Sequence, residues 1–208
     1  MSGNVTIMSA ILIGLFMWFK GCRFGYTFGV VTLFSPLPAA LFVGIVLHNI
    51  PVAMAVGASL QLMYLGLLAP GGAMPSDPTI AALVACTVAC TTGMDTKAAV
   101  ALAVPVGLLG VQLSNVEFII NGFFAHLADK YAEKANTKGI YLAGILYPVL
   151  AKFVIYALPL TLAIYFGTPY VKTLMASIPQ PLMNGLSVAG GMLPALGFAI
   201  IVSQIGIK

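Results

Sequence analysis

The sequence predicts an all-α, polytopic integral membrane protein. We expect about six to seven membrane elements, some broken or re-entrant, plus one amphipathic surface helix. Of its 208 residues, 61% are hydrophobic and only 7% are charged, whereas soluble domains carry about 25% charged residues. The mean hydropathy is +1.07. This composition excludes a soluble enzyme, a disordered region and a disulfide scaffold, because so few charges cannot cover a water-exposed surface.

Long uncharged stretches locate the membrane elements. A helix needs about 20 apolar residues to cross about 30 Å of hydrocarbon. The apolar segments predict elements at residues 5–19, 29–47, 52–68, 79–93, 98–114, 140–166 and 186–206, within one membrane-embedded domain over 1–208. Several are shorter than a full span and are interrupted by Gly and Pro, which is typical of the broken helices at transporter binding sites.

Residues 117–134 differ from the rest because apolar and polar side chains alternate at helical spacing. Ile120, Phe123 and Phe124 recur on one face, while His126 and Asp129 lie on the other. The pattern predicts an amphipathic helix lying at the membrane surface, and Asn136 to Gly139 end it. The alternative is a solvated connecting helix.

The basic residues indicate an orientation. The excess of Lys and Arg marks the cytoplasmic side. We expect Lys97 and Lys172 outside, Lys152 within the bundle, and these on the cytoplasmic side: Lys20, Arg23, Lys130, Lys134, Lys138 and Lys208.

No motif for catalysis or cofactor binding is present in the sequence. There is no nucleophile–base set, phosphate loop or metal pattern, and the basic residues form no stripe for nucleic acid. We therefore expect no catalytic residue, no cofactor and no metal site. Cys86 and Cys90 share a helix face in an apolar run, where we interpret them as small packing residues.

Polar side chains inside apolar helices are the candidate substrate-binding residues, because burying such groups is costly without a partner. Gln61 lies in an otherwise apolar helix, and its amide suits sugar hydroxyls; interhelical hydrogen bonding is the alternative. Asp77, beside Pro78, either caps the next helix or presents a carboxylate to a polyol.

Three further candidates lie between residues 112 and 117. Gln112, Asn115 and Glu117 cluster where a membrane element meets the amphipathic helix. Glu117 binds hydroxyls or moves a proton if it faces a cavity, and is merely solvated if it faces headgroups.

Several motifs in order resemble one family: the membrane IIC subunits of the mannose/fructose/sorbose/N-acetylgalactosamine class of bacterial phosphotransferase-system (PTS) sugar permeases. The resemblance runs from about residue 28 to the end of the chain. The matching stretches are Val43–Leu47, Val56–Gly66, Gly71–Pro78, Leu102–Gly107, His126–Lys130 with Asn136, and Asn184–Gly197.

The resemblance implies a function and a set of partners. A IIC subunit pairs with a second membrane subunit, IID, in the bacterial cytoplasmic membrane, and together they form the path of a hexose or amino sugar. Soluble IIA and IIB proteins, or a fused IIAB, carry the phosphoryl group, so that the IIC subunit is not itself an enzyme. Sugar substrate, lipid bilayer and an oligomeric assembly are the other expected partners. Gln61, Asp77 and Gln112 fall where family members carry polar residues near the sugar path.

The sequence also departs from the family pattern. The family usually has Arg-Pro-Leu before the second span and Gly-Asp after it, where this chain has Ser35-Pro36-Leu37 and His48-Asn49. Many members have Glu at the position of Gln61. Members usually continue for one or two more membrane elements, so we expect this sequence to be C-terminally truncated relative to them.

Two other functions fit the residues alone. One is an ion-coupled secondary transporter or channel that uses Glu117, Lys152 or a His as a relay. The other is a structural or assembly subunit, for which Gln61→Ala and Asp77→Ala would leave sugar uptake unchanged.

Overall fold

The computed structural model describes residues 5–22, 35–66 and 75–204, and within them it contains seven helices and no strand. The helices are α1 (Ile7–Gly21), α2 (Pro36–Val46), α3 (Ile50–Leu65), α4 (Pro78–Thr92), α5 (Thr96–Glu133), α6 (137–177) and α7 (Gln180–Gln204). Helix α6 includes two π-helical segments, Leu142–Leu146 and Phe153–Ala157. The predicted fold class, an all-α polytopic membrane protein, is confirmed.

Capping residues explain where several helices begin and end. The Thr6 hydroxyl accepts the backbone N–H of Ser9 at the start of α1, and the Asn136 amide oxygen accepts the N–H of Gly139 at the start of α6. Proline occupies the first turn of α2, α3 and α4, where its missing N–H leaves no bond unmade. Gly93, with φ +72°, ends α4 in the left-handed conformation that glycine adopts without strain.

Helix α4 forms the centre of the bundle. Thirteen of its fifteen residues are buried, and it packs against α2, α3, α5 and α6. Its sequence is rich in Ala, Thr and Cys. Such small side chains let neighbouring backbones approach closely, and this close packing holds helices together in lipid, where the hydrophobic effect does not. The buried thiols of Cys86 and Cys90 lie within hydrogen-bonding distance of the Ala53 and Asn49 carbonyls of the α2–α3 unit.

Helices α5 and α6 form a long antiparallel hairpin. Helix α5 has 38 residues, so it is about 57 Å long. The predicted membrane element 98–114 and the separate surface helix at 117–134 are therefore one helix, and that part of the prediction is wrong. The reason is that 114–117 contains polar residues but no Gly or Pro, and Ser114 and Glu117 are directed toward neighbouring helices rather than ending the helix.

The first, third and fourth predicted elements agree with the structure within three residues where it describes them, whereas α7 begins at Gln180, six residues before the predicted start at 186. Some residues named in the sequence analysis lie outside the described residues. They are 29–34 of the second element, Gly71 to Met74, and the basic residues Arg23 and Lys208. Helix α6 continues past the predicted end at 166 to Ser177, because Pro169 is accommodated within the helix. Within the part of the chain that the structure describes, three helical segments are long and apolar enough to cross a membrane, whereas α1 to α4 are shorter apolar helices of 11 to 16 residues.

Helix α7 packs against α3 and α5 through glycines. A Cβ added to Gly190 would lie 1.8 Å from the Lys97 carbonyl oxygen, and one added to Gly197 would lie 2.2 Å from the Leu62 carbonyl oxygen. Both obstacles are backbone atoms, which cannot move aside as a flexible side chain can. Glycine at these two positions therefore sets the distance between α7 and its neighbours.

We predict that Gly190→Ala destabilises the protein by about 1–3 kcal/mol, because the new methyl group forces α7 away from α5. The matched control is Gly185→Ala on the same helix, where the added Cβ meets nothing within 4 Å. That substitution should stabilise slightly, since Ala is the better helix former. Thermal unfolding of the detergent-solubilised proteins measures both, and equal midpoints would contradict the prediction.

Two positions with positive φ, His48 and Gly93, lead to predicted changes in stability of opposite sign. His48 has φ +54°, a conformation that costs a non-glycine residue about 1–2 kcal/mol, and glycine is the residue expected at this position from the family pattern. His48→Gly should therefore raise stability by about 0.5–1 kcal/mol after the entropic cost of glycine is subtracted. Gly93→Ala, also at positive φ, should lower stability by about 1 kcal/mol. A lower unfolding midpoint for His48→Gly would show that the turn is not strained.

Candidate functional site

Among the described residues, three helix ends meet near the middle of the α5–α6 hairpin. The C-terminal end of α1 contacts the N-terminal end of α4 through Lys20 and Asp77. The C-terminal end of α3 contacts the same place, where the hydroxyls of Tyr64 and Ser76 are 3.0 Å apart. The Asp77 backbone N–H donates to the Gly107 carbonyl of α5 at 3.0 Å. Helix ends carry unpaired polar groups and partial charges, so their convergence makes this region polar.

The first ion pair joins Lys20 and Asp77. Lys20 Nζ lies 3.4 Å from the Asp77 carboxylate, and the two side chains are only 2% and 10% exposed. The same carboxylate accepts the backbone N–H groups of Thr79 and Ile80 at 2.9 and 3.0 Å. Asp77 thus caps α4 and neutralises a buried lysine, and its negative charge also complements the positive end of the α4 dipole.

The second ion pair joins Glu117 of α5 and Lys152 of α6. Lys152 Nζ lies 3.1 Å from Glu117 Oε1, with both side chains 12% exposed. The Tyr156 hydroxyl donates to Glu117 Oε2, and the Asn121 amide donates to Oε1 at 3.3 Å. Both carboxylate oxygens therefore have donors, as a buried charge requires.

The last turn of α1 connects the two pairs. Lys152 Nζ donates to the carbonyl oxygen of Gly21 at 2.8 Å, and Gly21 directly follows Lys20. Gly21 also lies against α6, since a Cβ added to it would be 3.6 Å from the Tyr156 ring and 3.8 Å from Lys152 Cδ. Two lysines and two carboxylates thus form one neutral group, which we call the charge cluster: Lys20, Asp77, Glu117 and Lys152.

Gln61 lies one turn before the end of α3. Its side-chain oxygen accepts the backbone N–H of Leu37 at 3.3 Å, which is one of the donors that the first turn of α2 leaves unpaired. Gln61 therefore caps a neighbouring helix, as the interhelical alternative predicted, and the residue itself is partly exposed.

Gln112 and Asn115 lie on a different side of α5 from Glu117. Both are exposed, and the Asn115 amide donates to the Gln112 side-chain oxygen at 3.2 Å. At 100° per residue they are about 140–160° from Glu117 around the helix. The structure therefore brings Asp77 and Glu117 together, places Gln61 near the same helix ends, and separates Gln112 and Asn115 from them.

Lys152 is predicted to lie within the bundle, and its side chain is buried there. Lys20 is predicted to lie on the cytoplasmic side; its side chain is buried against Asp77 rather than exposed to water, and the side of the membrane stays a prediction. The sequence feature that could have indicated this pairing is charge balance, because an isolated acidic residue in an apolar region requires a cation nearby. Tyr156 and Ser114, whose oxygens are 3.3 Å apart, carried no such signal in the sequence.

Among the described residues, no group of three or more His, Cys, Asp or Glu side chains could hold a metal ion. The charge cluster contains its own cations in the two lysines. Its chemistry is that of hydrogen bonding and charge neutralisation at helix ends.

Several IIC components of sugar transporters are similar in sequence to this chain. The chain is 28% identical over 81% of its length to the mannose-specific EIIC component of Escherichia coli K12, of which it covers 64%. It is 28% identical over 98% of its length to the sorbose-specific EIIC component of Lacticaseibacillus casei, of which it covers 74%. It is 27% identical over 96% of its length to N-acetylgalactosamine permease IIC component 1 of E. coli K12, of which it covers 73%.

Solved structures share the fold. One membrane protein superposes with a TM-score of 0.82 at 24% identity, covering 97% of this chain and 81% of that one. A cryo-EM structure of the mannose transporter ManYZ with microcin E492 superposes with a TM-score of 0.71 at 24% identity, covering 98% and 81%.

The chain spans slightly less than two thirds of the mannose-specific relative. A family model described as the sorbose-specific IIC component of the PTS matches residues 7–208, nearly the whole chain. A match of this extent shows that the chain belongs to the family of sorbose-specific IIC components of the phosphotransferase system.

Proposed function

We propose that this chain is the sugar-translocating IIC subunit of a mannose-class PTS, which moves a hexose or amino sugar that partner IIA and IIB proteins phosphorylate. The observation that carries the proposal is the match of the IIC family model to residues 7–208. Similar proteins are described as mannose-, sorbose- and N-acetylgalactosamine-specific components, which supports a hexose or amino sugar as the substrate.

The geometry supports a sugar path beside the converging helix ends. Broken helices in transporters present their polar ends to substrate. Here the ends of α1, α3 and α4 meet at the charge cluster, and Gln61 lies near the end of α3 with a partly exposed amide. Sugar hydroxyls both donate and accept hydrogen bonds, so an amide beside a neutral, hydrogen-bonded cluster suits them better than an isolated charge.

The partners follow from the same assignment. We infer a second membrane subunit, IID, soluble IIA and IIB or IIAB phosphocarriers, and residence in the bacterial cytoplasmic membrane. A solved complex with this fold is described as the transporter ManYZ. Gln112 and Asn115 are exposed on the side of α5 away from the cluster, so they would contact sugar only where a partner subunit or a second copy completes the path.

The alternative of an ion-coupled transporter is less well supported. A coupling site for a cation needs a carboxylate that is available to it. In the charge cluster, Asp77 is paired with Lys20 and Glu117 with Lys152. Two resident ammonium groups thus occupy the places where a coupling cation would bind.

Sugar uptake in a IIC-deficient bacterium tests the proposal. The chain would be expressed with mannose-class IID and IIAB proteins, and uptake of radiolabelled mannose, fructose, sorbose and N-acetylgalactosamine would be measured. Uptake that depends on the phosphocarriers supports the proposal, with the same cells lacking the IIC chain as the control. Uptake that persists without phosphocarriers but collapses with the proton gradient would support the ion-coupled alternative.

Substitutions of Gln61 test its place on the sugar path. Gln61→Leu should weaken sugar binding by about 1–3 kcal/mol, the usual cost of leaving a buried polar partner unpaired. Gln61→Glu keeps an acceptor for the Leu37 N–H and is the matched control for the capping role. Equilibrium binding of labelled sugar to the purified complex gives both values. If Gln61→Leu binds sugar as the unmodified chain does, Gln61 is only a cap.

A further inference from the structure

We propose that Lys152 is a positioning residue that clamps the last turn of α1 to the α5–α6 hairpin, so that α1 keeps its place among the helix ends bordering the sugar path. The inference rests on the proposed function for its effect on uptake. Its structural part, that the Lys152 ammonium and not the ion pair alone holds α1, stands independently.

The contacts of Lys152 distinguish it from an ordinary ion-pair partner. Its ammonium lies 3.1 Å from Glu117 Oε1 and donates at 2.8 Å to the carbonyl of Gly21, the last residue of α1. It therefore bridges three helices, α5, α6 and α1. The Gly21 contact requires a donor, because the acceptor is a carbonyl oxygen at the negative end of the α1 dipole.

The Lys20–Asp77 pair provides the other half of the clamp. It holds the same turn of α1 against the start of α4, and Asp77 is in turn bonded to α5 through Gly107. The end of α1 is thus fixed between α4 on one side and the hairpin on the other. Because the cluster is neutral as a whole, fixing α1 here leaves no uncompensated charge in the apolar interior.

The rest of α1 has its own anchors. The Trp18 indole donates to the Val149 carbonyl at 3.0 Å, Thr161 donates to the Ala10 carbonyl at 3.4 Å, and Phe16 stacks on Phe42 with ring centroids 4.6 Å apart. Loss of the Lys152 contact should therefore release the last turn of α1 without detaching the helix.

The chain contains a natural reporter for this turn. Cys22 directly follows Gly21 and is partly exposed, whereas Cys86 and Cys90 are only 0% and 5% exposed within α4. The rate at which a maleimide modifies the Cys22 thiolate in membranes, taken from the pH dependence of labelling so that the nearby charges do not alter it, thus measures how firmly the end of α1 is held. Cys22→Ser identifies the signal that belongs to this thiol.

Four variants of the full chain, expressed with its partner subunits, separate positioning from simple charge pairing. Lys152→Met removes the pair and the donor, and Lys152→Arg keeps both. The exchanged variant Glu117→Lys/Lys152→Glu keeps the pair but puts a carboxylate, which has no proton to donate, next to the Gly21 carbonyl. It also removes the acceptor of the Tyr156 hydroxyl and the Asn121 amide, neither of which is hydrogen-bonded to α1 in the part of the chain that the structure describes. Lys172→Met, an exposed lysine farther along α6, controls for loss of one positive charge.

We expect Cys22 labelling to be at least about fivefold faster in Lys152→Met and in the exchanged variant, because both allow local opening of the turn. Lys152→Arg and Lys172→Met should label at the rate of the unmodified chain. Unchanged labelling in Lys152→Met, or a normal rate in the exchanged variant, would overturn the proposal. The exchanged variant keeps the test decisive where Lys152→Met fails to fold, as judged by gel filtration in detergent.

Uptake kinetics test the functional part. The apparent KM for sugar should rise about tenfold in the exchanged variant and stay unchanged in Lys152→Arg, because displacement of α1 disturbs the path while the fold persists. Equal KM values in the unmodified and exchanged chains would refute a role in positioning the path. Absence of any uptake by the unmodified chain would instead count against the proposed function and leave the labelling result intact.

Discussion

The structure depends on satisfying helix ends and charges that are buried away from water. Helices α1, α3 and α4 end within the protein beside the middle of the long hairpin, and each end leaves polar groups that apolar surroundings cannot hydrate. The charge cluster meets this requirement, since Asp77 caps α4 and Lys152 binds the last carbonyl of α1. Asp77 and Lys152 therefore each have two tasks, balancing an opposite charge and closing a helix.

Packing around this cluster relies on small residues rather than on large apolar ones. Helix α4 is buried on nearly all sides with a sequence rich in Ala, Thr and Cys, and glycines allow α7 to approach α3 and α5. In a medium as apolar as the side chains, close contact and hydrogen bonding replace the hydrophobic effect as the main source of helix association. The polar cluster and the small-residue packing thus depend on each other, because the charged groups meet only where backbones come close.

The sequence was sufficient to predict the fold class and most of the helices. Asp77 beside Pro78 allowed the start of α4 to be predicted, because capping is a local interaction. Asn136 is predicted to end the preceding helix, whereas it caps the start of α6. The long helix α5 was predicted as two elements, since polar residues at 114–117 look like a boundary when their partners on α6 are unknown. The pairing of Lys20 with Asp77, 57 residues later in the chain, could not be predicted either, because it depends on how two helix ends meet in space. Of the candidate site residues, Asp77 and Glu117 belong to the charge cluster, whereas Gln112 and Asn115 are exposed on another side of α5. Which α5 residues reach the cluster depends on the rotation of α5 about its axis relative to its neighbours.

The unequal helix lengths have a consequence for the surrounding bilayer. Helix α1, which has 15 residues and exposes Met8 and Phe19, is about 22 Å long, whereas α5 is about 57 Å long. A hydrocarbon core of about 30 Å is therefore thicker than α1 is long and thinner than α5 is long. Lipids beside the short helices must thin, and the long hairpin must tilt or extend into the aqueous phase, each at a modest cost per ångström of mismatch. Membrane thickness therefore acts as a mechanical load on the contacts between the short helices and the hairpin, and lipid composition becomes one of the variables that set how this protein lies in its membrane.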